Sequence, residues 1–248
     1  MSFRIRPDLV GVIGGMGPLA GADYMTKVIE LTPGERDEDH IPLIVCSCPQ
    51  IPERVAPIVT GAGPSPLPEL LDRVRFLVDS GAKALTMPCN TAHFWYDHMV
   101  AVAAGVPFIH IADAVVAELI RRDVPKGPVG LIGTPGTVKG RIYDDRLAAA
   151  GYTLAKADDA TMADVVYPGI KLVKRNRLPE ATVLFESAVK DVVDSTGAPV
   201  VLLACTEIPV ALVNPQGWMK DHTLDPNRAL AQATVDWALE RRRLAKIA

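Results

Sequence analysis

One internal echo limits what this chain can fold into more than any other feature. The segment Val10-Gly-Val-Ile-Gly-Gly-Met-Gly17 recurs as Val129-Gly-Leu-Ile-Gly-Thr-Pro-Gly136. Further along, Ser80-Gly-Ala-Lys-Ala-Leu-Thr-Met-Pro-Cys89 recurs as Thr196-Gly-Ala-Pro-Val-Val-Leu-Leu-Ala-Cys205. The two separations, 119 and 116 residues, nearly agree. Each half thus carries a glycine-rich turn after an apolar run and a later apolar run that ends in cysteine, the pattern of a duplicated unit. The competing explanation is compositional, because any two α/β halves share Val, Ile, Leu and Gly.

Short runs rich in Val, Ile and Leu alternate with longer amphipathic stretches, which reads as buried parallel sheets with helices on both faces. The runs predict strands at 9–14, 42–47, 84–88, 106–111, 129–133, 152–155 and 199–204. Helical periodicity predicts helices at 19–31, 67–80, 112–122, 138–150, 162–174, 180–195 and 229–246, and the Pro/Gly-rich stretch 60–68 reads as a surface loop. The expected fold class is α/β: two similar three-layer α/β domains with parallel-rich sheets, related by pseudo-twofold symmetry, with the site in the cleft between them. The expected division is 1–111 plus 225–248 for the first domain and 112–224 for the second. A chain of 248 residues accommodates two such units.

Composition narrows the function. With 26 Lys+Arg against 29 Asp+Glu the net charge is −3, and the one dense basic cluster is Arg241, Arg242 and Arg243, so no nucleic-acid footprint is expected. No apolar run reaches 18 residues, so no membrane partner is expected and the chain reads as cytoplasmic. Four cysteines in so long a chain do not make a disulfide framework, and Cys46-X-Cys48 lacks the second pair that a zinc site needs. His40, His93, His98, His110 and His222 have no ligand spacing, and no metal site is expected.

In open α/β sheets ligands bind beyond the carboxyl ends of the strands, which is where Cys89 and Cys205 lie. Packed about a pseudo-twofold axis, the two halves bring these thiols to opposite walls of one cleft. A disulfide is the rival reading, but the polar Asn90-Thr91 and Thr206-Glu207 that follow suit the holding of a carboxylate. Either cysteine alone reads as a small buried hydrophobe. As a matched pair they suit a reaction in which one thiol takes a proton from carbon and the other returns it on the opposite face. A helix N-terminus is expected to lower one thiol pKa toward neutrality. Preorganised N–H and hydroxyl donors would stabilise the carbanion with no metal or pyridoxal cofactor. Gly14-Gly15-Met16-Gly17-Pro18 is not a dinucleotide fingerprint and reads as a turn whose amides face a small anion. Cys46 and Cys48 read as packing.

Pro88-Cys89-Asn90-Thr91-Ala92-His93, Gly14-Gly15-Met16-Gly17-Pro18-Leu19-Ala20, Pro49-Gln50-Ile51-Pro52-Glu53-Arg54 and Cys205-Thr206-Glu207 resemble the aspartate/glutamate racemase family, most closely its aspartate racemase branch. The similarity runs from Gly11 to Asp225-Pro226. The resemblance implies a cofactor-independent racemase, commonly a homodimer, whose partner is a small amino-acid substrate. It implies that Cys89 and Cys205 are the acid/base residues. Met16, Asn90, Thr91 and Thr206 would bind the substrate, and Arg54 and Lys171 would meet its side-chain carboxylate. Thr134 and Thr137 in the second glycine-rich loop are further binding candidates, with an N-cap role as the alternative. Glu207 is a candidate for orienting a thiol. The sequence departs from the family pattern at Ala204, where glycine commonly precedes the second cysteine, and at Cys48, where relatives carry Asn or Ser. The expected activity is interconversion of L- and D-aspartate, with glutamate as the nearest alternative substrate. The reading from another class is a non-catalytic amino-acid binder.

Overall fold

In the computed structural model, which describes residues 6–213 and 215–247, the apolar runs form two wholly parallel sheets. Strands β1 (Val10–Gly14), β2 (Leu43–Ser47) and β3 (Ala84–Thr86) stand in the order β2-β1-β3. Strands β4 (Gly127–Gly133), β5 (Tyr152–Lys156), β6 (Val201–Ala204) and β7 (Thr223–Leu224) stand in the order β5-β4-β6-β7. The echo is therefore a structural one, since the first strand of each half is central and flanked by the second and third. Val12 sits opposite Val45 and Thr86, as Leu131 sits opposite Lys156 and Leu202.

The strand expected at 106–111 shrinks to one parallel bridge between Leu85 and Phe108. Pro107 has no N–H to extend a ladder, although its carbonyl accepts from Leu85 N at 2.8 Å. Phe108 thus borders β3 as β7 borders β6.

The matched glycines explain how each half closes. A Cβ on Gly11 would come within 3.0–3.1 Å of Ala82, Leu85 and Leu77, and one on Gly130 within 2.7–2.8 Å of Val192 and Val201. At both places the absent side chain lets a helix settle on the central strand. Gly81 and Gly197 have φ of 92° and 67°, a left-handed turn that glycine adopts without steric penalty. Each turns the chain from a helix into the strand that leads to a cysteine.

Helices α1 (Pro18–Leu31), α2 (Val55–Val59), α3 (Leu67–Asp79), α4 (Tyr96–Val102) and α5 (Ile111–Arg121) belong to the run before β4. After it come α6 (Pro135–Lys139), α7 (Asp144–Ala149), α8 (Asp159–Thr161), α9 (Tyr167–Lys174), α10 (Leu178–Thr196), α11 (Glu207–Ala211), α12 (Gly217–His222) and α13 (Pro226–Ala245). One apolar cluster takes Val10 and Val12 of β1, Val129 and Leu131 of β4, and Leu202 of β6 onto α1, α5 and α13. The outer face of the first sheet packs Ile13 and Leu85 against Leu70, Val74 and Leu77 of α3. The outer face of the second packs Ile132 and Val201 against Phe185 and Val189 of α10. Each such side chain removed from water contributes about 1.5–3 kcal/mol before entropy is counted.

Two expected helices differ. The helix at 138–150 is two pieces, α6 and α7, because Gly140 is followed by Arg141 in a left-handed conformation (φ 52°). The helix at 162–174 contains a π turn at Met162–Val166. There the N–H of Tyr167 reaches back to Met162, and Pro168 next to it has no N–H to offer. The stretch 61–65 is exposed loop as expected, while Leu67 and Pro68 already open α3.

Candidate active site

Cys89 lies just beyond β3, with 5% of its surface exposed, and is held by its neighbours. His93 lies one turn on in the short 3-10 helix Thr91–Trp95. Its Nε2 accepts from Ile111 N at 3.2 Å, so the proton is on Nδ1, which donates to the Cys89 carbonyl at 2.8 Å. Burial lowers the His93 pKa to about 4, so the ring is neutral and serves as a brace.

Cys205 lies just beyond β6 and is 6% exposed. It donates its S–H to Glu207 Oε2 at 3.0 Å. Glu207 is itself buried and reaches the other half, where a Cβ on Gly17 would come within 2.9 Å of its Oε1. Its charge acts on both thiols. Burial first, then the charge and hydrogen bond of Glu207, push Cys205 well above the ordinary thiol pKa. Burial also raises Cys89, against the opposing pull of the Arg54 charge and of a hydrogen bond from the Ala92 backbone. The expectation of a thiol lowered by a helix N-terminus is therefore corrected, since desolvation wins at both cysteines. At Cys89 the Arg54 charge is the strongest influence favouring the thiolate, whereas the Glu207 charge opposes ionisation at both sulfurs.

Three hydroxyls close a ring across the halves. Thr91 Oγ1 is 2.8 Å from Thr134 Oγ1 and 2.9 Å from Thr137 Oγ1, and the latter two are 3.0 Å apart. Thr137 Oγ1 also reaches the Ala204 carbonyl at 3.3 Å, one residue before Cys205. Thr134 caps α6 as well, accepting from Thr137 N at 3.2 Å, so the N-cap reading of that residue holds. Asn90 is buried, and the hydroxyl of Tyr143 donates to its Oδ1. That fixes the amide orientation, and Asn90 Nδ2 has no partner among the described residues. A buried donor left unpaired is suited to an incoming acceptor.

Of the remaining expected residues, Thr206 is buried at the start of α11. Met16 is buried in the apolar cluster that also holds Cys89 and Ile51. Arg54 donates to the Ile51 and Pro52 carbonyls at 3.4 and 3.2 Å, and its charge reaches Cys89. The carboxylate of Glu53 accepts from Val55 N and Ala56 N at 2.7 and 2.8 Å, starting α2 and shaping that loop. Lys171 is exposed on α9 and no described contact brings it to the group; the cation felt by Cys205 is Lys174, one turn on. Sequence reasoning missed Lys174 and Tyr143. Lys174 repeats Lys171 at helical spacing, and that repeat was the available signal. The methyl of Ala204 has room because Gly133 faces it: a Cβ on Gly133 would lie 3.2 Å from that of Ala204 and 2.7 Å from its carbonyl oxygen. A cleft of about 820 Å³ between α1, the end of α5 and α12 contains neither cysteine. No group of three or more metal-ligating side chains occurs among the described residues, and no described helix is long and apolar enough to cross a membrane.

Known proteins resemble this chain in sequence and fold. The family model described as Asp/Glu/Hydantoin racemase matches residues 13–234. The broad specificity amino-acid racemase RacX of Bacillus subtilis is 25% identical over 232 residues, covering 92% of this chain and 96% of that protein. The structure of Picrophilus torridus aspartate racemase superposes with a TM-score of 0.78 at 28% identity, covering 94% of this chain and 97% of that one. An aspartate racemase homologue from Pyrococcus horikoshii OT3 has a TM-score of 0.73 at 22% identity, covering 94% and 99%, and so shares the fold. With two parallel α/β halves, a cysteine at the end of the third strand of each, and a family match over nearly the whole chain, this protein belongs to the Asp/Glu/hydantoin racemase family.

Proposed function

We propose that the protein racemises acidic amino acids, aspartate first, by proton transfer between the substrate Cα and the two thiols of Cys89 and Cys205. The observation that carries this reading is the pair of buried thiols at equivalent strand ends, with the Glu207 charge acting on both. Cys89, helped by Arg54, ionises and takes the proton from one face, while Cys205 delivers its S–H proton to the other. Glu207, already hydrogen-bonded to that sulfur, restores the proton inventory between turnovers. The threonine hydroxyls, with Asn90 Nδ2 and Thr206, hold the α-carboxylate and amine and stabilise the developing carbanion. Arg54, with Lys174 on α9, supplies positive charge for the second carboxylate. No metal or pyridoxal is required by these steps. The 28% identity to an aspartate racemase supports aspartate, and the likeness to a broad-specificity racemase supports activity on glutamate as well.

The test is incubation of dialysed, chelator-treated protein with L-aspartate in deuterated water, read by chiral chromatography and mass spectrometry. D-aspartate carrying one deuterium at Cα is the expected product. Activity that appears only after pyridoxal phosphate is added would refute the two-thiol mechanism, and saturable binding of aspartate without turnover would assign the chain as a binder.

A further inference from the structure

The mechanism leaves two thiols unused, and they are neighbours. Cys46 at the end of β2 and Cys48 just past it place their sulfurs 3.5 Å apart, both partly exposed on the edge strand of the first sheet. Arg73 of α3 donates to Cys48 Sγ at 3.4 Å, so a guanidinium sits where negative charge would develop on that sulfur. A disulfide needs the sulfurs at about 2.05 Å, so closure requires an approach of about 1.5 Å rather than a rearrangement of the fold. The pair also lies against the site loop. Cys48 N donates to Gly14 O at 3.2 Å. Gly15, at φ 91°, packs so tightly on Cys48 that a Cβ there would fall 2.4 Å from its nitrogen. Met16 and Gly17, the latter beneath Glu207, follow directly.

We propose that Cys46 and Cys48 form a reversible dithiol–disulfide site for hydroperoxides, and that closing the disulfide draws Cys48 off Gly15 and disables the loop beneath Glu207. The Cys48 sulfur attacks one peroxide oxygen, the O–O bond breaks, and one water leaves with Cys48 as the sulfenic acid. The Cys46 sulfur then attacks the Cys48 sulfur, the S–O bond breaks, and a second water leaves. Two thiols give up two protons and two electrons, and hydrogen peroxide is reduced to two waters. Burial and the neighbouring sulfur raise the Cys46 pKa, so the first attack on the peroxide falls to Cys48, which the Arg73 guanidinium touches. A bridge closing so short a loop is strained, and a strained bridge is easily re-reduced.

Reduced full-length protein is treated with equimolar hydrogen peroxide, alkylated with iodoacetamide, digested and mapped by mass spectrometry. The peptide spanning Cys46 and Cys48 should escape alkylation, weigh about 2 Da less than its reduced form, and revert with dithiothreitol. In Cys46→Ser, Cys48 should instead be trapped by dimedone as the sulfenic acid, whereas in Cys48→Ser, Cys46 should stay alkylatable. Full alkylation of both residues while Cys89 or Cys205 oxidises overturns the proposal. The activity arm rests on the racemase reading: oxidised protein should lose at least tenfold in aspartate racemisation and recover with dithiothreitol, and Cys46→Ser should keep its activity through the same treatment. An oxidised protein as active as the reduced one overturns the coupling to the loop. A reduced protein with no racemase activity counts against the function alone, and the peptide map then decides the thiol chemistry by itself.

Discussion

Burial and Arg54 act on the Cys89 thiol in opposite senses, while Glu207 acts on both thiols in one sense, and these signs are measurable. Removing the guanidinium in Arg54→Ala takes away a cation that favours thiolate, so the alkaline rise of kcat/KM should move to higher pH. Removing an anion in Glu207→Gln should move it to lower pH. Profiles of aspartate racemisation between about pH 6 and about pH 10 would show the two displacements, and a shift of both variants in the same direction would contradict the assigned charges. Arg54→Ala should also lose a charge-assisted contact worth about 1.5–3 kcal/mol, or one to two decades in kcat/KM for aspartate, with a smaller effect on alanine. Cys89→Ser and Cys205→Ser should each abolish racemisation, because a hydroxyl is a far weaker base than a thiol. Either variant should retain Cα exchange on one face only, read as deuterium entering a single enantiomer; a fully active Cys205→Ser would refute its role. Tyr143→Phe frees the Asn90 amide to turn, so KM should rise about two- to tenfold with kcat little changed, the worth of one neutral hydrogen bond. A fall in kcat with unchanged KM would place Tyr143 elsewhere in the cycle. The cysteines, Asn90, Thr91, Thr206 and Glu207 were legible because each follows a strand within a few residues. Tyr143 was not, because its approach to the site is set by how α6 and α7 pack, which no local pattern encodes, and Lys174 offered only its helical spacing from Lys171.

At the scale of elements, the echo carried both sheets. Its glycines mark the two places where a helix must lie close to a central strand, and the strand order repeats with them. Short elements escaped the sequence reading. Helices α2, α4, α11 and α12 have seven residues or fewer, too few turns for an apolar face to repeat, and the strand at 106–111 was overread because Val106, Phe108, Ile109 and Ile111 make a short apolar run of β-forming residues while Pro107 cannot donate. The close approach at Gly130 can be tested directly. Gly130→Ala puts a methyl 2.7 Å from Val192 of α10, an overpacking that should cost about 1–3 kcal/mol and lower Tm. Trimming Val192 to Ala in the same chain should return part of that loss, since the two substitutions share one space. Thermal unfolding of both single variants and the double variant tests this, and strictly additive losses would mean that Gly130 is required for something other than the seat of α10.

A molecule with two sheets, each with its own outer helices, would be expected to unfold in two steps, since separate cores rarely share one transition. The inner faces here argue otherwise. Both sheets turn one side toward α1, α5 and α13, and one continuous cluster runs from Val10 and Val12 through Tyr24, Val115, Leu230 and Val235 to Leu131 and Leu202. Polar contacts tie the same layer: Thr234 gives its hydroxyl proton to the Leu230 carbonyl and lies 2.7 Å from the Tyr24 hydroxyl, and Lys27 is held by Asp23 and Asp225 at 2.5 and 2.6 Å, with the Asn227 amide donating to Asp23. At the site the threonine ring and the reach of Glu207 to Gly17 bind one half to the other again. Neither sheet can lose the middle layer without exposing the apolar side of its partner. Urea unfolding should therefore be a single transition, with tryptophan fluorescence and far-ultraviolet circular dichroism giving coincident midpoints. Leu230→Ala, a fully buried truncation in α13, should shift both signals together by about 2–5 kcal/mol. Two resolved transitions, with only one of them moved by Leu230→Ala, would show that α13 stabilises a single half and that the cysteines can separate while each half remains folded.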